Sequence, residues 1–174
     1  YAALQANTIG GYNTGIGRYA MFTNTTASFN TALGRTSMYL NTTGHRNTAS
    51  GYSALRTNTT GVCNTAHGFQ SLYYNTTASS NTAVGSNSLY RNTTGTYNTA
   101  VGFRVLQANT TGDRNAAFGT RALFSNTTAS CNTAVGHDAL YNNTTGAYNT
   151  ASGTYSMYHN TTGGYNAASG MRSL

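Results

Sequence analysis

The tripeptide Asn-Thr-Thr is the motif with the best defined chemistry in this sequence, because Asn-x-Thr is the acceptor for N-linked glycans. Its acceptor asparagines are Asn24, Asn41, Asn58, Asn75, Asn92, Asn109, Asn126, Asn143 and Asn160, and Asn142 begins an overlapping copy. If these side chains face outward, glycans would cover one face of the protein. If they face inward, the same residues form a structural ladder. The sequence leaves both alternatives open.

Residues suited to catalysis or metal binding are scarce. The two acidic residues, Asp113 and Asp138, lie 25 residues apart, so a pair of carboxylates for general acid–base catalysis is not expected. The chain has no Cys-x-x-Cys motif. The histidines His45, His67, His137 and His159 occupy four different positions of the repeat described below. We therefore predict that the protein is not an enzyme and has no catalytic residue, no metal site and no cofactor.

The charge is positive but dispersed. The formal net charge is +7, and only 6% of the residues are charged. The arginines fall at five positions of the repeat rather than in one stripe, so we expect no nucleic-acid partner. Weak attraction to anionic surface polysaccharide is the more natural consequence of this charge. No apolar run is long enough for a membrane span or a signal peptide.

The residues above belong to a 17-residue repeat that runs through the whole sequence. The unit is N-T-A-x-G-x-x-[AS]-L-x-x-N-T-T-[GA]-x-x, and we number its positions from 1 at Asn13 to 17 at Phe29. Position 1 is Asn13, Asn30, Asn47, Asn64, Asn81, Asn98, Asn115, Asn132, Asn149 and Asn166, and the sequon asparagines above occupy position 12. Position 9 is Leu4, Met21, Met38, Leu55, Leu72, Leu89, Leu106, Leu123, Leu140 and Met157. A fixed period without insertions is typical of solenoids, propellers and arrays.

Seventeen residues are too few for a helical repeat or a propeller blade, and Asn, Thr and Gly are poor helix formers. We therefore predict an all-β fold, a β-solenoid or β-roll of ten coils forming one domain over residues 1–174. Each coil is expected to hold two short strands, N-T-A-x-G and L-x-x-N-T-T, with Gly17 and its equivalents at a corner. At about 4.8 Å per coil the rod is about 48 Å long.

The columns created by stacking the coils each have a predicted role. Position 9 forms the apolar core, and the Asn columns form amide ladders between coils. A small residue at position 3, such as Ala32, allows two sheets to approach closely. Because no atypical capping repeat is present, we interpret the chain as a slice of a longer array or one whose ends meet other chains.

Two further columns allow alternative interpretations. Position 4 is apolar in six coils, which indicates either an interface of a homotrimer or variation at a solvent-exposed face. These residues are Ile16, Leu33, Val84, Val101, Phe118 and Val135. Position 10 is aromatic in seven coils, which is typical of stacking between coils and also of sugar binding. These residues are Phe22, Tyr39, Tyr73, Tyr90, Phe124, Tyr141 and Tyr158, with Gln5, Arg56 and Gln107 in the remaining coils.

A disulfide within the chain is not expected. Cys63 and Cys131 occupy the same position four coils apart. Four coils correspond to about 19 Å along the rod, whereas a disulfide requires Cα atoms within about 7 Å. A bond between chains stays open.

A second period is superimposed on the first. Position 15 is Gly except at Ala27, Ala78 and Ala129, which lie 51 residues apart, and a serine follows each alanine. Every third coil is therefore distinct. Either the array grew by duplication of a three-coil block, or every third coil meets the same neighbour in a fibre.

The phrase G-x-x-N-T-A-x-G, as in residues 95–102, resembles the G-x-x-S-x-A-x-G repeats of trimeric autotransporter adhesin heads. The longer unit in residues 92–102 looks like the arrays of bacterial cell-surface and phage-tail-fibre-like proteins. The resemblance implies a left-handed β-roll, often a parallel homotrimer, that works as a stalk or adhesive head.

These observations together predict a structural protein of an extracellular fibre or surface appendage. Its role would be adhesive or protective, with a glycan coat if the Asn-Thr-Thr face is outward. Self-association into a homotrimer or filament and contact with surface polysaccharide are the expected partnerships, and the location is extracellular, at the cell surface or on a virion. The alternatives are a phage or viral tail-fibre shaft and an ice-binding protein that uses the Thr column from Thr8 to Thr161.

Overall fold

The computed structural model describes residues 2–174, so Tyr1 of the predicted domain lies outside the described residues. These residues form ten short parallel strands in one sheet, arranged in sequence order, and no helix. The strands are β1 Thr14–Ile16, β2 Thr31–Leu33, β3 Thr48–Ser50, β4 Thr65–His67, β5 Thr82–Val84, β6 Thr99–Val101, β7 Ala116–Phe118, β8 Thr133–Val135, β9 Thr150–Ser152 and β10 Ala167–Ser169. The predicted all-β solenoid with a 17-residue coil is confirmed.

Each strand pairs in register with the equivalent residues one coil away, as Ala49 pairs with Ala66 between β3 and β4. Side chains alternate along a strand, so the central alanine points into the coil while its two neighbours point outward. Ala49 and Ala66 are fully buried, whereas the residues at positions 2 and 4 are half-buried or exposed. The sheet therefore has one inner alanine column and two outer columns.

The second predicted strand is wrong, because L-x-x-N forms a turn. The backbone N–H of Asn58 donates to the carbonyl oxygen of Leu55 in the same coil (3.4 Å), and equivalent bonds close the turn in the other coils. The leucine itself has φ 53°, in the left-handed region that a strand cannot use. Each coil thus contains one three-residue strand, and turns connect successive strands.

Left-handed backbone at residues other than glycine is a systematic feature of the coil. Positions 7, 9 and 17 all have φ near +55°, as in Asn87, Leu89 and Tyr97. Such a residue costs about 1–2 kcal/mol relative to right-handed backbone. The cost recurs in every coil and must be offset by the contacts between coils.

The core is a single file of Leu and Met side chains inside the coil, flanked by alanines. Met21 to Leu140 of the predicted core are fully buried, Met157 is nearly so, and Leu4 is half-buried against the others. A Cβ built on Gly15 would lie 3.3 Å from Cγ of Leu4. The small residue at position 3 therefore makes room for the leucine column, not for a second sheet as the sequence predicted.

The corner glycine at position 5 is required both by its backbone and by its neighbour. Its φ ranges from 113° to 139° along the chain. A Cβ on Gly102 would overlap the carbonyl oxygen of Gly119 in the next coil. Both predicted reasons for this glycine, a positive φ and close backbone approach, are confirmed.

We expect Gly102→Ala to lower the free energy of unfolding by at least about 2 kcal/mol, because it combines left-handed strain with overlap against the next coil. Gly11→Ala is the matched control, because its φ lies outside the left-handed range, a Cβ there meets no atom within 4 Å, and alanine occupies the equivalent position 16 at Ala147. Chemical denaturation followed by circular dichroism measures both. Equal losses in the two variants would contradict this account of the corner.

Candidate functional site

The sequon asparagines at position 12 lie inside the coil. Asn24 to Asn143 are fully buried and Asn160 is half-buried. Nδ2 of Asn58 donates to Oδ1 of Asn41 one coil away (2.8 Å) and to the carbonyl oxygen of Gly61 in its own coil (3.0 Å). The same pair of bonds recurs along the column, so these side chains form a continuous amide ladder.

The position 1 asparagines form a second ladder with a different pattern. The backbone N–H of Asn47 donates to Oδ1 of Asn30 (2.9 Å), and Nδ2 of Asn47 donates to the carbonyl oxygen of Gly61 (2.8 Å). The predicted contact between equivalent amides is present here only at Asn115 and Asn166, within the described residues. The carbonyl at position 15 thus accepts from both ladders at once.

This placement gives no support to glycans on the folded rod. A glycan on Nδ2 of Asn58 would replace one of the two N–H groups that donate to Asn41 and Gly61. It would also place a sugar in an interior packed around fully buried amides. In the folded rod these asparagines are arranged as a buried ladder and not as a row of accessible glycan acceptors.

Asn143→Ala should cost about 3 kcal/mol or more in the free energy of unfolding, because Asn143 donates to Asn126 and Gly146 and accepts from Asn160. Unpaired buried polar groups cost about 1–3 kcal/mol each. The neighbouring Asn142→Ala is the control, since Asn142 is only half-buried at position 11, where Ala108 occurs naturally. Denaturant unfolding measures the difference, and similar losses in both variants would contradict the ladder's role.

One ionic cluster is present among the dispersed charges. Arg121 donates from Nε to Oδ1 of Asp138 (2.9 Å) and from a terminal nitrogen to Oδ2 (2.6 Å). The Asp138 side chain is 2% exposed and the Arg121 side chain 37%. The hydrogen bonds to Asp138 raise the pKa of Arg121. His137 Nδ1 lies 3.4 Å from the same carboxylate.

The cluster has the form of a structural ion pair. No group of three or more His, Cys, Asp or Glu side chains that could hold a metal ion occurs in residues 2–174. The other carboxylate, Asp113, accepts from the backbone N–H and the hydroxyl of Thr96 one coil away (2.6 and 3.0 Å). Both acidic side chains are therefore bound within the rod.

Arg121→Gln should lower the free energy of unfolding by about 2–3 kcal/mol, because it leaves the buried carboxylate of Asp138 unpaired. Asp138→Asn in the same background should restore most of the loss, since glutamine and asparagine occupy this position naturally at Gln70 and Asn87. A double-mutant cycle from denaturant unfolding measures the coupling. Additive losses would show that the pair contributes no coupling energy.

The threonine columns differ in whether their hydroxyls are available. At position 13 each hydroxyl from Thr8 to Thr144 donates to the carbonyl oxygen of the threonine one coil on, as Thr59 does to Thr76 (3.1 Å). This is the column in which an ice-binding surface was predicted, and its donors are already used. The threonine hydroxyls at position 2, from Thr14 to Thr150, take part in no hydrogen bond within the described chain.

The aromatic column at position 10 is half-buried, and its rings stack on one another. Phe124 and Tyr141 have ring centroids 5.0 Å apart and nearly parallel planes. The guanidinium of Arg56 lies between the rings of Tyr39 and Tyr73, at 5.3 and 5.6 Å. The ring faces in these pairs are turned toward each other. This arrangement corresponds to stacking between coils, one of the two roles that the sequence allowed for position 10.

Burial, together with the hydrogen bond and the charge of Tyr74, raises the pKa of Tyr90.

The outer surface of the sheet carries most of the exposed apolar residues. We call it the sheet face and define it by the outward columns at positions 17, 2, 4 and 6. Its exposed large apolar residues are Tyr12, Phe29, Tyr97, Tyr148 and Tyr165 at position 17, Ile16, Leu33, Phe118 and Val135 at position 4, and Tyr52, Phe69, Phe103 and Met171 at position 6. Elsewhere in residues 2–174 such residues are only Ile9, Tyr74 and Leu174. The sequence indicated the position 4 stripe but not the position 6 column, because the residue types at position 6 vary from coil to coil.

Cys63 is exposed and Cys131 is half-buried, and both are free thiols. No helix in the described residues is long and apolar enough to cross a membrane. Comparison with protein-family models, curated proteins and solved structures gives no match for this chain. The fold and the arrangement of its surface columns are therefore the basis for a functional proposal.

Proposed function

We propose that this chain is a structural segment of an extracellular fibre or surface appendage, in which copies associate side by side through the sheet face. The observation that carries the proposal is the concentration of exposed apolar residues on that one face of a regular rod. Soluble monomers seldom expose a large contiguous apolar patch, and such patches mark interaction sites.

The sheet face suits an interface between rods because it runs the whole length of the rod, about 48 Å for ten coils at about 4.8 Å each. Thr and Ser between the apolar residues leave this face only partly apolar. The apolar and aromatic columns run along the rod axis, so the contact would extend with each added coil.

The bonding between coils also suits a fibre segment that must resist tension. Each coil is joined to the next by strand pairing, by turn hydrogen bonds and by both asparagine ladders. In such one-dimensional architectures stability grows with each neighbour contact. The resemblance to adhesin-head repeats supports an extracellular location and an adhesive role, on a cell or on a virion.

Sedimentation velocity over a dilution series tests the association. We expect the wild-type chain to form a discrete oligomer, and a Leu33→Ser, Phe118→Ser, Val135→Ser variant to shift to the monomer. Serine occurs naturally at this position in Ser50 and Ser152, so the coil should still fold. The control is Ile9→Thr with Leu40→Thr, outside the sheet face, where threonine also occurs naturally. A wild-type chain that stays monomeric at all concentrations would refute side-by-side association.

A further inference from the structure

The arginines divide into two classes by what their guanidinium groups contact. Seven lie over an aromatic ring at 4.8–6.0 Å from its centroid, and one of them, Arg121, also binds Asp138. These are Arg18, Arg35, Arg56, Arg104, Arg114, Arg121 and Arg172. The side chains of Arg46 and Arg91 have no ring, carboxylate or hydrogen-bond partner within residues 2–174, and both are exposed.

Each of these two arginines lines a surface groove beside an aromatic ring. The first groove, of about 400 Å³, is lined by Tyr74, Tyr90, Arg91, Thr93 and Thr110 and is called the Tyr74 groove. The second, of about 320 Å³, is lined by Ser28, Phe29, His45, Arg46 and Val62 and is called the Phe29 groove. Neither contains a carboxylate.

The two grooves share one construction although they lie on different sides of the coil. Arg91 follows Tyr74 at position 11, and Arg46 follows Phe29 at position 17, each exactly one coil later in the same column. In both places the ring-bearing residue and the arginine are therefore one coil apart, about 4.8 Å along the rod at the backbone, and the guanidinium makes no contact with that ring. Tyr74 is 44% exposed and Phe29 is 55% exposed, so each ring is accessible from the groove.

Polar groups at the groove walls complete this arrangement. His45 accepts the backbone N–H of Ser28 at Nδ1 (2.9 Å), which leaves its Nε2–H free to donate. In the Tyr74 groove the hydroxyl of Thr93 donates to the carbonyl oxygen of Thr110 (3.0 Å) and keeps its lone pairs as acceptors. Each groove thus offers a ring, a cation and at least one weaker hydrogen-bonding group.

We propose that the Tyr74 groove and the Phe29 groove each bind one acidic sugar unit of an anionic polysaccharide. A uronic acid has an apolar face of C–H groups that can pack on an aromatic ring and a carboxylate at its edge that can pair with a guanidinium. Charge complementarity points to the acid, because both carboxylates of the protein are already bound within the rod and the net charge is +7.

In the proposed fibre the Tyr74 groove, which lies outside the sheet face, would be the open adhesive site, whereas the Phe29 groove lies on the sheet face and would be covered by side-by-side association. The test uses the unassembled chain, so it does not depend on fibre assembly. Binding is measured on dilute purified chain, by biolayer interferometry at low salt, with immobilised polygalacturonate as the acidic probe. Fully methyl-esterified polygalacturonate is the matched neutral probe, and single-stranded DNA is the probe for unspecific charge attraction.

Each variant introduces a residue that occurs naturally at the same repeat position. The natural examples are Asn142 for Arg91→Asn, Ser80 for Arg46→Ser and Ser125 for Tyr74→Ser. The charge-matched control is Arg56→Gln with Arg104→Gln, which introduces the residues found at the same repeat positions in Gln107 and Gln70 and removes two guanidinium groups that lie over rings. Melting curves by circular dichroism establish that each variant folds.

We expect Arg91→Asn with Arg46→Ser to weaken polygalacturonate binding by about tenfold or more, as loss of charge-assisted hydrogen bonds predicts. Tyr74→Ser should also weaken it, and the esterified probe should bind about tenfold more weakly than the acid. The control Arg56→Gln with Arg104→Gln should change binding less than about twofold. An equal loss with this control would overturn the proposal, as would wild-type binding to single-stranded DNA with the same dependence on Arg46 and Arg91. Absence of wild-type binding to polygalacturonate would overturn it as well, and would leave the sedimentation result unaffected.

Discussion

The carbonyl oxygen at position 15 is the acceptor on which the register of the whole rod depends. The oxygen of Gly61 receives Nδ2 of Asn58, three residues earlier, and Nδ2 of Asn47, which lies 14 residues earlier and so nearly one full turn back along the chain. One atom therefore fixes both the closure of a coil and its height above the preceding coil. Since Oδ1 of Asn47 binds the backbone of Asn64 in the following coil, the same constraint passes along the chain.

This constraint explains how the coil tolerates its unfavourable backbone. Parallel strand pairing covers only three residues in seventeen, so most backbone groups need partners elsewhere. The asparagine side chains provide partners where the chain turns, as Oδ1 of Asn30 does for the N–H of Asn47. The left-handed residues at positions 7, 9 and 17 bend the chain so that these bonds form in every coil. Each left-handed residue costs about 1–2 kcal/mol in backbone conformation. A buried polar group left without a hydrogen-bond partner costs a similar amount, about 1–3 kcal/mol, so the hydrogen bonds that these bends allow offset the cost.

The features that depend on residue type at a fixed spacing could be predicted from the sequence. The features that depend on contacts with residues one coil away could not. The 17-residue period, the buried Leu and Met column and the corner glycines follow from residue types at fixed spacing, and all three are present. The second strand was predicted because L-x-x-N-T-T contains β-branched threonine. Leu55 instead has φ 53°, a value that leucine alone would not suggest. The direction of the position 12 column was also undecidable from sequence, because an amide ladder and a row of glycan acceptors use the same residue type.

The 51-residue period extends beyond the alanines at position 15. Gln5, Arg56 and Gln107 also lie 51 residues apart and interrupt the aromatic column at every third coil. Arg56 remains part of the stack because a guanidinium can pack on rings, with Tyr39 and Tyr73 at 5.3 and 5.6 Å. Gln107 makes no such contact, and its buried Oε1 has no hydrogen-bond partner. An interruption that binds a regular neighbour would favour one residue type, whereas Arg56 differs in charge and in contacts from the glutamine at Gln107. The 51-residue period predicts a fourth interruption at Tyr158, but Tyr158 is aromatic like the rest of the column. Duplication of a three-coil block followed by drift at partly exposed positions accounts for both facts, and it leaves the outer columns free to acquire pairs such as Tyr74 and Arg91 without disturbing the ladders inside.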